Sequence, residues 1–124
     1  MKITIRGNRK VSEIQQEFNA IFPFLNLEFL DLPENKLLNH ISSRQIHPNL
    51  SLKDIREKHE DGELVIHRQM TIMQLEHILS DDFGIQAKVL VKQGDKWVGC
   101  ALNGYWMLYH KNEEGRRTSH QCDN

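Results

Sequence analysis

The chain contains two segments with the same order of apolar residues, and this internal repeat limits the fold more than any other feature. The segments are KITIRGNRKVSEIQQEFNAIFPFLNLEFL and ELVIHRQMTIMQLEHILSDDFGIQAKVLV. Apolar residues alternate with polar ones at both ends of each segment and recur in steps of three and four in the middle. Each segment therefore predicts a strand, a helix and a strand. The aligned pairs are Ile3 with Leu64, Ile5 with Ile66, Val11 with Ile72, Ile14 with Leu75, Phe18 with Leu79, Phe22 with Phe83 and, after a one-residue gap, Leu25 with Ile85, Leu27 with Ala87 and Phe29 with Val89.

Residues typical of helix ends support this interpretation. Thr71 and Gln74 have the spacing of a capping box, in which each side chain bonds the backbone amide of the other residue. Pro23 follows the first helical pattern and Gly84 follows the second, so both helices are predicted to end there.

Two strand–helix–strand units in tandem predict an α+β fold, a ferredoxin-like two-layer sandwich that arose by duplication. Right-handed crossovers then place the first strand of each unit at the centre of one sheet, with both helices on one face. After the second unit, Asn103-Gly104 is a strong hairpin signal. It predicts a C-terminal β-meander with strands 85–92, 96–102 and 105–110. A short helix at 105–111 is the alternative for the last of these.

The chain is long enough for one domain, which the sequence places at residues 1–111. The predicted parts are repeat one at 2–31, an insertion at 33–62, repeat two at 63–92, the meander at 85–110 and a polar, disordered tail at 112–124. The insertion is too long for a bare loop. Ser51, Leu52, Asp54 and Ile55 predict a short helix within it, and a further helical turn is predicted at 35–40.

Composition excludes several classes of protein. The 124 residues carry 16 Lys and Arg against 17 Asp and Glu, so the chain lacks the basic excess of a general nucleic-acid binder. It has no apolar run long enough to span a membrane and no apolar leader after Met1. With two cysteines it lacks a disulfide framework. We therefore expect a cytoplasmic protein with reduced thiols and no membrane partner.

All four Trp and Tyr residues fall between Lys96 and Lys111. One interpretation is that they close the core, because aromatic rings dominate core energetics. The other is an exposed patch for a partner. On a strand, Tyr105, Met107 and Tyr109 would share one face and the residues between and after them the other. We expect a buried Trp106 and tyrosines at the rim.

The function predicted from these features is non-enzymatic binding, to another protein or to a second copy as a homodimer. The sheet edge and the aromatic meander would form the surface. The alternative is binding of single-stranded nucleic acid on the open sheet face, where rings stack on bases and lysines contact phosphates. The predicted partner surface comprises Trp97, Tyr105, Trp106, Tyr109, His110, Arg6 and Lys88.

The sequence offers no catalytic, metal or cofactor site. It lacks the glycine-rich phosphate-binding motifs and the nucleophile-elbow motif. Cys100 falls in a predicted strand beside Gly99 and Ala101, where a thiol packs as a small apolar group. The seven histidines have no cysteine partners at zinc-site spacing.

The C-terminal part also resembles a known family. Gly94 and Trp97, then Trp106, then the polar segment 111–115 resemble small uncharacterised bacterial proteins with a duplicated strand–helix–strand pattern. The resemblance covers mainly residues 64–115. It implies a bacterial cytoplasmic protein and no activity.

Overall fold

The computed structural model describes residues 1–30, 49–55, 61–100 and 103–121. These residues form an α+β fold. The elements are β1 (Lys2–Ile5), α1 (Val11–Ile21), β2 (Leu25–Leu30), a 3-10 helix (Leu52–Asp54), β3 (Gly62–Val65), α2 (Ile72–Phe83), β4 (Gln86–Gln93), β5 (Lys96–Gly99) and α3 (Leu108–Gln121). The helical turn predicted at 35–40 lies outside the described residues. The helix predicted to start at Ser51 is present as the 3-10 helix, and residues 56–60, where it was predicted to continue, lie outside the described residues.

The described strands divide into two antiparallel sheets, β1-β3 and β2-β4-β5. The predicted ferredoxin-like arrangement, one sheet with β1 and β3 at its centre, is therefore not confirmed. β2 pairs directly with β4, so that Leu27 faces Val89 and Leu25 faces Val91 on one continuous apolar surface. Alternation predicts which face of a strand is apolar, but it does not identify the neighbouring strand.

The strand registers pair equivalent residues of the two units. Ile3 faces Leu64 in the β1–β3 ladder. Glu28 faces Lys88 in the β2–β4 ladder. The sequence repeat also aligns Ile3 with Leu64. It aligns Glu28 with Lys88 as well, because their neighbours Leu27 and Phe29 align with Ala87 and Val89. An approximate two-fold axis between the units requires this result, since residues on such an axis face their own equivalents.

Each unit also contains a short docking segment that follows the strand–helix–strand part. In the first unit, Val11 N–H donates to the Leu50 carbonyl at 2.9 Å, and Leu52 N–H donates to the Arg9 carbonyl at 2.9 Å. The 3-10 helix is thereby fixed against the loop before α1. Leu52 is fully buried, so the contact is apolar as well as hydrogen-bonded.

The second unit repeats this arrangement at the start of α3. Ile72 N–H donates to the Trp106 carbonyl at 3.0 Å, and Leu108 N–H donates to the Met70 carbonyl at 2.8 Å. Leu108 is fully buried, as Leu52 is in the first unit. The structural repeat is therefore longer than the sequence repeat, because it includes the docking segment.

One apolar core lies between the helices and the sheets. The predicted apolar faces are confirmed by the burial of Val11, Ile14 and Phe18 in α1 and of Ile72, Leu75, Leu79 and Phe83 in α2. The capping box is also confirmed: Gln74 N–H donates to Thr71 Oγ1 at 3.1 Å and Thr71 N–H to Gln74 Oε1 at 2.9 Å. Gly84, at φ 67°, ends α2 in the left-handed region. No helix of the described chain is long and apolar enough to cross a membrane.

The predicted strand 105–110 is wrong, and so is the disorder predicted for residues 112–121, whereas residues 122–124 of the predicted tail lie outside the described residues. A turn at Asn103, closed by Trp106 N–H on its carbonyl at 2.9 Å, leads into α3 at residues 108–121. The helical alternative at 105–111 is therefore nearer the structure. Leu108, Lys111 and Gly115 are buried at three- and four-residue spacing. The sequence hides this face because two of its three residues are not apolar side chains.

Candidate functional site

A cleft lies where the loop before α2 meets the first turn of α3. Three adjoining hollows of about 600, 490 and 540 Å³ form a band along this junction. We call the largest the central cleft. Its lining residues are His67, Arg68, Gln69, Met107, Tyr109 and His110.

Main-chain hydrogen bonds fix the two walls of the central cleft to each other. Tyr109 N–H donates to the Arg68 carbonyl at 3.2 Å, next to the bond that Leu108 N–H donates to the Met70 carbonyl. Met73 N–H donates to the Gly104 carbonyl at 2.8 Å. The cleft is therefore set by backbone contacts rather than by side-chain packing alone.

The side chains of the cleft are arranged around Tyr109. The guanidinium carbon of Arg68 lies 4.4 Å from the centre of the Tyr109 ring. The His110 ring lies on another side, with its centre 5.6 Å from that of Tyr109 and the planes tilted by 51°. A cation over a ring face is held in one orientation while its N–H groups stay available to a ligand.

The wall behind Trp106 contains a buried lysine. Lys111 is 4% exposed, and its ammonium lies 4.6 Å from the centre of the Trp106 ring. It donates to Asn103 Oδ1 at 2.8 Å and to Glu114 Oε1 at 2.9 Å. Because its donors are used inside the protein, Lys111 stabilises the wall and is not offered to a ligand.

No family model, curated protein or solved structure matches this chain. The resemblance of residues 64–115 to small bacterial proteins stays a prediction. We therefore infer function from the chemistry of the exposed surfaces.

Four of the seven predicted partner residues line the central cleft or the adjoining hollow of about 540 Å³: Tyr105, Trp106, Tyr109 and His110. Because these residues lie in a turn and in α3 rather than on a strand, they are not divided between two faces of a sheet. Tyr105 is 73% exposed and Tyr109 37% exposed, whereas Trp106 is partly buried against the core. These exposures agree with the expected position of the tyrosines at the rim. They do not agree with the expected burial of Trp106, which is only partial.

The other three predicted residues lie elsewhere. Trp97 is on β5, Lys88 is on β4 and Arg6 follows β1 in the other sheet. Sequence reasoning missed four residues that line the central cleft: His67, Arg68, Gln69 and Met107. No sequence signal marked the first three, because they approach α3 only through tertiary contacts.

Cys100 is a poor nucleophile in this structure. Burial raises the pKa of its thiol to about 11, although the positive charge of Lys111 acts in the opposite direction. A reactive cysteine requires a thiolate near neutral pH. Among the described residues, no three His, Cys, Asp or Glu side chains are grouped as a metal site.

The edge of the larger sheet is a second exposed surface. β5 is the last strand in the order β2-β4-β5, and all four of its residues are exposed. Trp97 and Val98 are 40% and 38% exposed. Trp97 faces Lys92 across the ladder, so it lies on the sheet face opposite to that of Val98 and Val91.

Proposed function

We propose that the protein is a non-enzymatic binding module that self-associates through the outer edge of β5. The supporting observation is that β5 bonds only to β4 within the described sheet while it exposes Trp97 and Val98. A free strand edge presents N–H and C=O groups that pair readily with another strand. Lys96 is the one charged residue of β5, so charge does little to prevent such pairing.

A second copy of the chain suits this edge. Two β5 strands that pair antiparallel about a two-fold axis at Val98 would bring Val98 opposite Val98 of the other copy. Trp97 would then face Gly99, where a large ring can cover the space left by a missing side chain. The two Lys96 side chains would not face each other. The contact is thus self-complementary, as a symmetric dimer interface must be.

Single-stranded nucleic acid is the second candidate. Trp97 and Lys92 are paired on the outer face of the sheet, and Lys88 lies on the same face. A ring flanked by lysines can stack on a base and contact phosphate. However, Glu28 faces Lys88 and the net charge of the chain is −1, which is why we favour a protein partner.

The oligomeric state tests the proposal. Sedimentation velocity over a range of concentrations should show a dimer that gains population with concentration. Val98→Lys should give a monomer, because it places two ammonium groups opposite each other. Met73→Lys, on an exposed side chain of α2, is the matched control and should behave like the wild type. A wild-type protein that is monomeric at every concentration would overturn the proposal.

A fluorescent single-stranded oligonucleotide tests the second candidate. A rise in anisotropy that falls steeply with salt concentration would support nucleic-acid binding. Trp97→Ala should then reduce the signal. A protein that gives no rise at low salt does not bind nucleic acid on this face.

We also infer that the two units arose by tandem duplication. The facing of Ile3 with Leu64 and of Glu28 with Lys88, together with the repeated docking segments, supports this origin. The likeness to ferredoxin-like folds rests on the order of elements alone. A cytoplasmic location remains our proposal, supported by the free thiol of Cys100.

A further inference from the structure

The central cleft offers hydrogen-bond donors around an aromatic ring. We infer that it binds a small organic anion, a carboxylate or phosphate on a planar apolar group, with the Arg68 guanidinium as the anion contact. The inference is independent of self-association, because β5 contributes no residue to this cleft.

Charge supports an anionic ligand. The residues that line the central cleft include an arginine and two histidines but no carboxylate. Glu113 lines the neighbouring hollow, and its pKa is lowered chiefly by the hydrogen bonds from Arg116 and less by the charge of Arg68. Its carboxylate accepts bonds from Arg116 Nε at 3.0 Å and Nη2 at 2.7 Å. No ion pair between Arg68 and a carboxylate is found in the described part of the chain.

The first unit shows which side chains the fold itself requires. There, Lys53 N–H donates to the Gly7 carbonyl at 3.0 Å, the equivalent of the bond from Tyr109 to Arg68. Glycine and lysine thus make the same main-chain contact as arginine and tyrosine. The Arg68 and Tyr109 side chains are not needed to close the second unit, so their stacking demands another explanation, which ligand binding supplies.

The apolar part of the ligand follows from Met107 and Tyr109. Both are 37% exposed and both line the central cleft. The volume of about 600 Å³ lies within the range of small-molecule sites, about 300–1,000 Å³. Because main-chain bonds fix both walls, little ordering is needed when a ligand binds.

The test is a titration followed by proton–nitrogen NMR spectra of the full chain. The probes are benzoate, phenyl phosphate and neutral benzamide. At least one anion should shift the amide signals of residues 67–69 and 107–110 in a saturable way. Benzamide should bind more weakly by about tenfold or more, because it lacks the charge that strengthens the bond to Arg68. The two anions distinguish a carboxylate site from a phosphate site.

Arg68→Gln should weaken binding of the anion by about tenfold or more. Lys53→Gln, which removes a positive charge at the equivalent docking turn of the first unit, should bind as tightly as the wild type. If Arg68→Gln loses its dispersed spectrum, Arg68→Lys replaces it and should also bind more weakly, since lysine lacks the planar fork. Three results would overturn the inference: no saturable shift with either anion, equal binding of benzamide, or undiminished binding by the folded Arg68 variant.

Discussion

Gly115 of α3 lies against Val91 of β4, so close that a β-carbon on Gly115 would stand 2.9 Å from Val91 Cγ2. The same β-carbon would stand 2.9 Å from Phe24 Cβ and 3.1 Å from the Phe24 carbonyl oxygen. Backbone and branched side chains cannot yield by a small rotation. The absence of a side chain at this position therefore allows α3 to pack against the sheet.

Replacement of Gly115 by alanine should destabilise the protein by about 1–3 kcal/mol, the usual cost of overpacking. In a free helix the same change would stabilise by about 0.5–1 kcal/mol, so the close contact reverses the sign. Urea unfolding measures the difference. Gly99→Ala is the control, because a β-carbon there meets no atom of the described residues within 4 Å; at a protein concentration that keeps the chain monomeric, its stability should be unchanged or slightly higher. A more stable Gly115→Ala protein would contradict this packing.

Lys111→Met should destabilise the protein by about 1–3 kcal/mol. Methionine keeps the apolar stem but leaves Asn103 Oδ1 and the Glu114 carboxylate without their buried donor. The matched control is Arg116→Met, because Arg116 and Glu113 form an exposed pair of the same spacing on the same helix. That change should alter the free energy of unfolding much less. An equal loss in the free energy of unfolding for the two variants would contradict a larger contribution from the buried Lys111 contacts.

Glu76→Gln should change how stability depends on pH. Burial raises the pKa of Glu76, although the bond that its carboxylate accepts from Val89 N–H at 2.9 Å opposes the rise. A raised pKa in the folded state means that the contribution of this group is fully present below its ordinary pKa. That contribution is lost as pH rises through the folded pKa. Glutamine keeps an acceptor for Val89 and does not ionise.

The advantage of Glu76→Gln over the wild type should therefore grow as pH rises from acid to neutral. Urea unfolding at several pH values measures it. Asp82→Asn, at an exposed residue of α2, controls for the loss of one negative charge. A difference between Glu76→Gln and wild type that is the same at every pH would contradict the role of burial.

Cys100 should react slowly with thiol reagents in the folded protein. It is 4% exposed, and burial raises its pKa to about 11, so little thiolate is available near neutral pH. A Cys122→Ser variant leaves Cys100 as the one thiol of the chain. Its absorbance change with an aromatic disulfide reagent should be slow in buffer and fast in urea. Rapid labelling of the folded variant would show that the thiol is accessible.

Local pattern was sufficient for the strand–helix–strand units. The apolar spacing of α1 and α2, the capping box at Thr71 and the stop at Gly84 are short-range signals, and the structure contains all of them. Such signals act within one or two turns of chain, so a single sequence reveals them.

The last helix was not predictable in the same way. The signal at Asn103-Gly104 favoured a hairpin, and the polar residues after Lys111 gave no apolar face. α3 is instead stabilised by contacts that lack a sequence signature: the close approach at Gly115 and the paired ammonium of Lys111. Tyr105 and Trp106 therefore lie in the turn before α3 and Tyr109 lies in its first turn, rather than on the predicted strand 105–110, whereas Trp97 lies on β5 within the predicted strand 96–102.

The sequence by itself determined the two repeated units, their helix ends and the side of each strand that is buried. The tertiary structure alone decided that β2 pairs with β4 and that Arg68 stacks on Tyr109. The physical reason is the distance along the chain between the residues that interact. Helix and strand patterns arise from neighbours along the chain, whereas strand partners and the cleft depend on residues far apart in sequence whose contacts form only when the whole core is assembled.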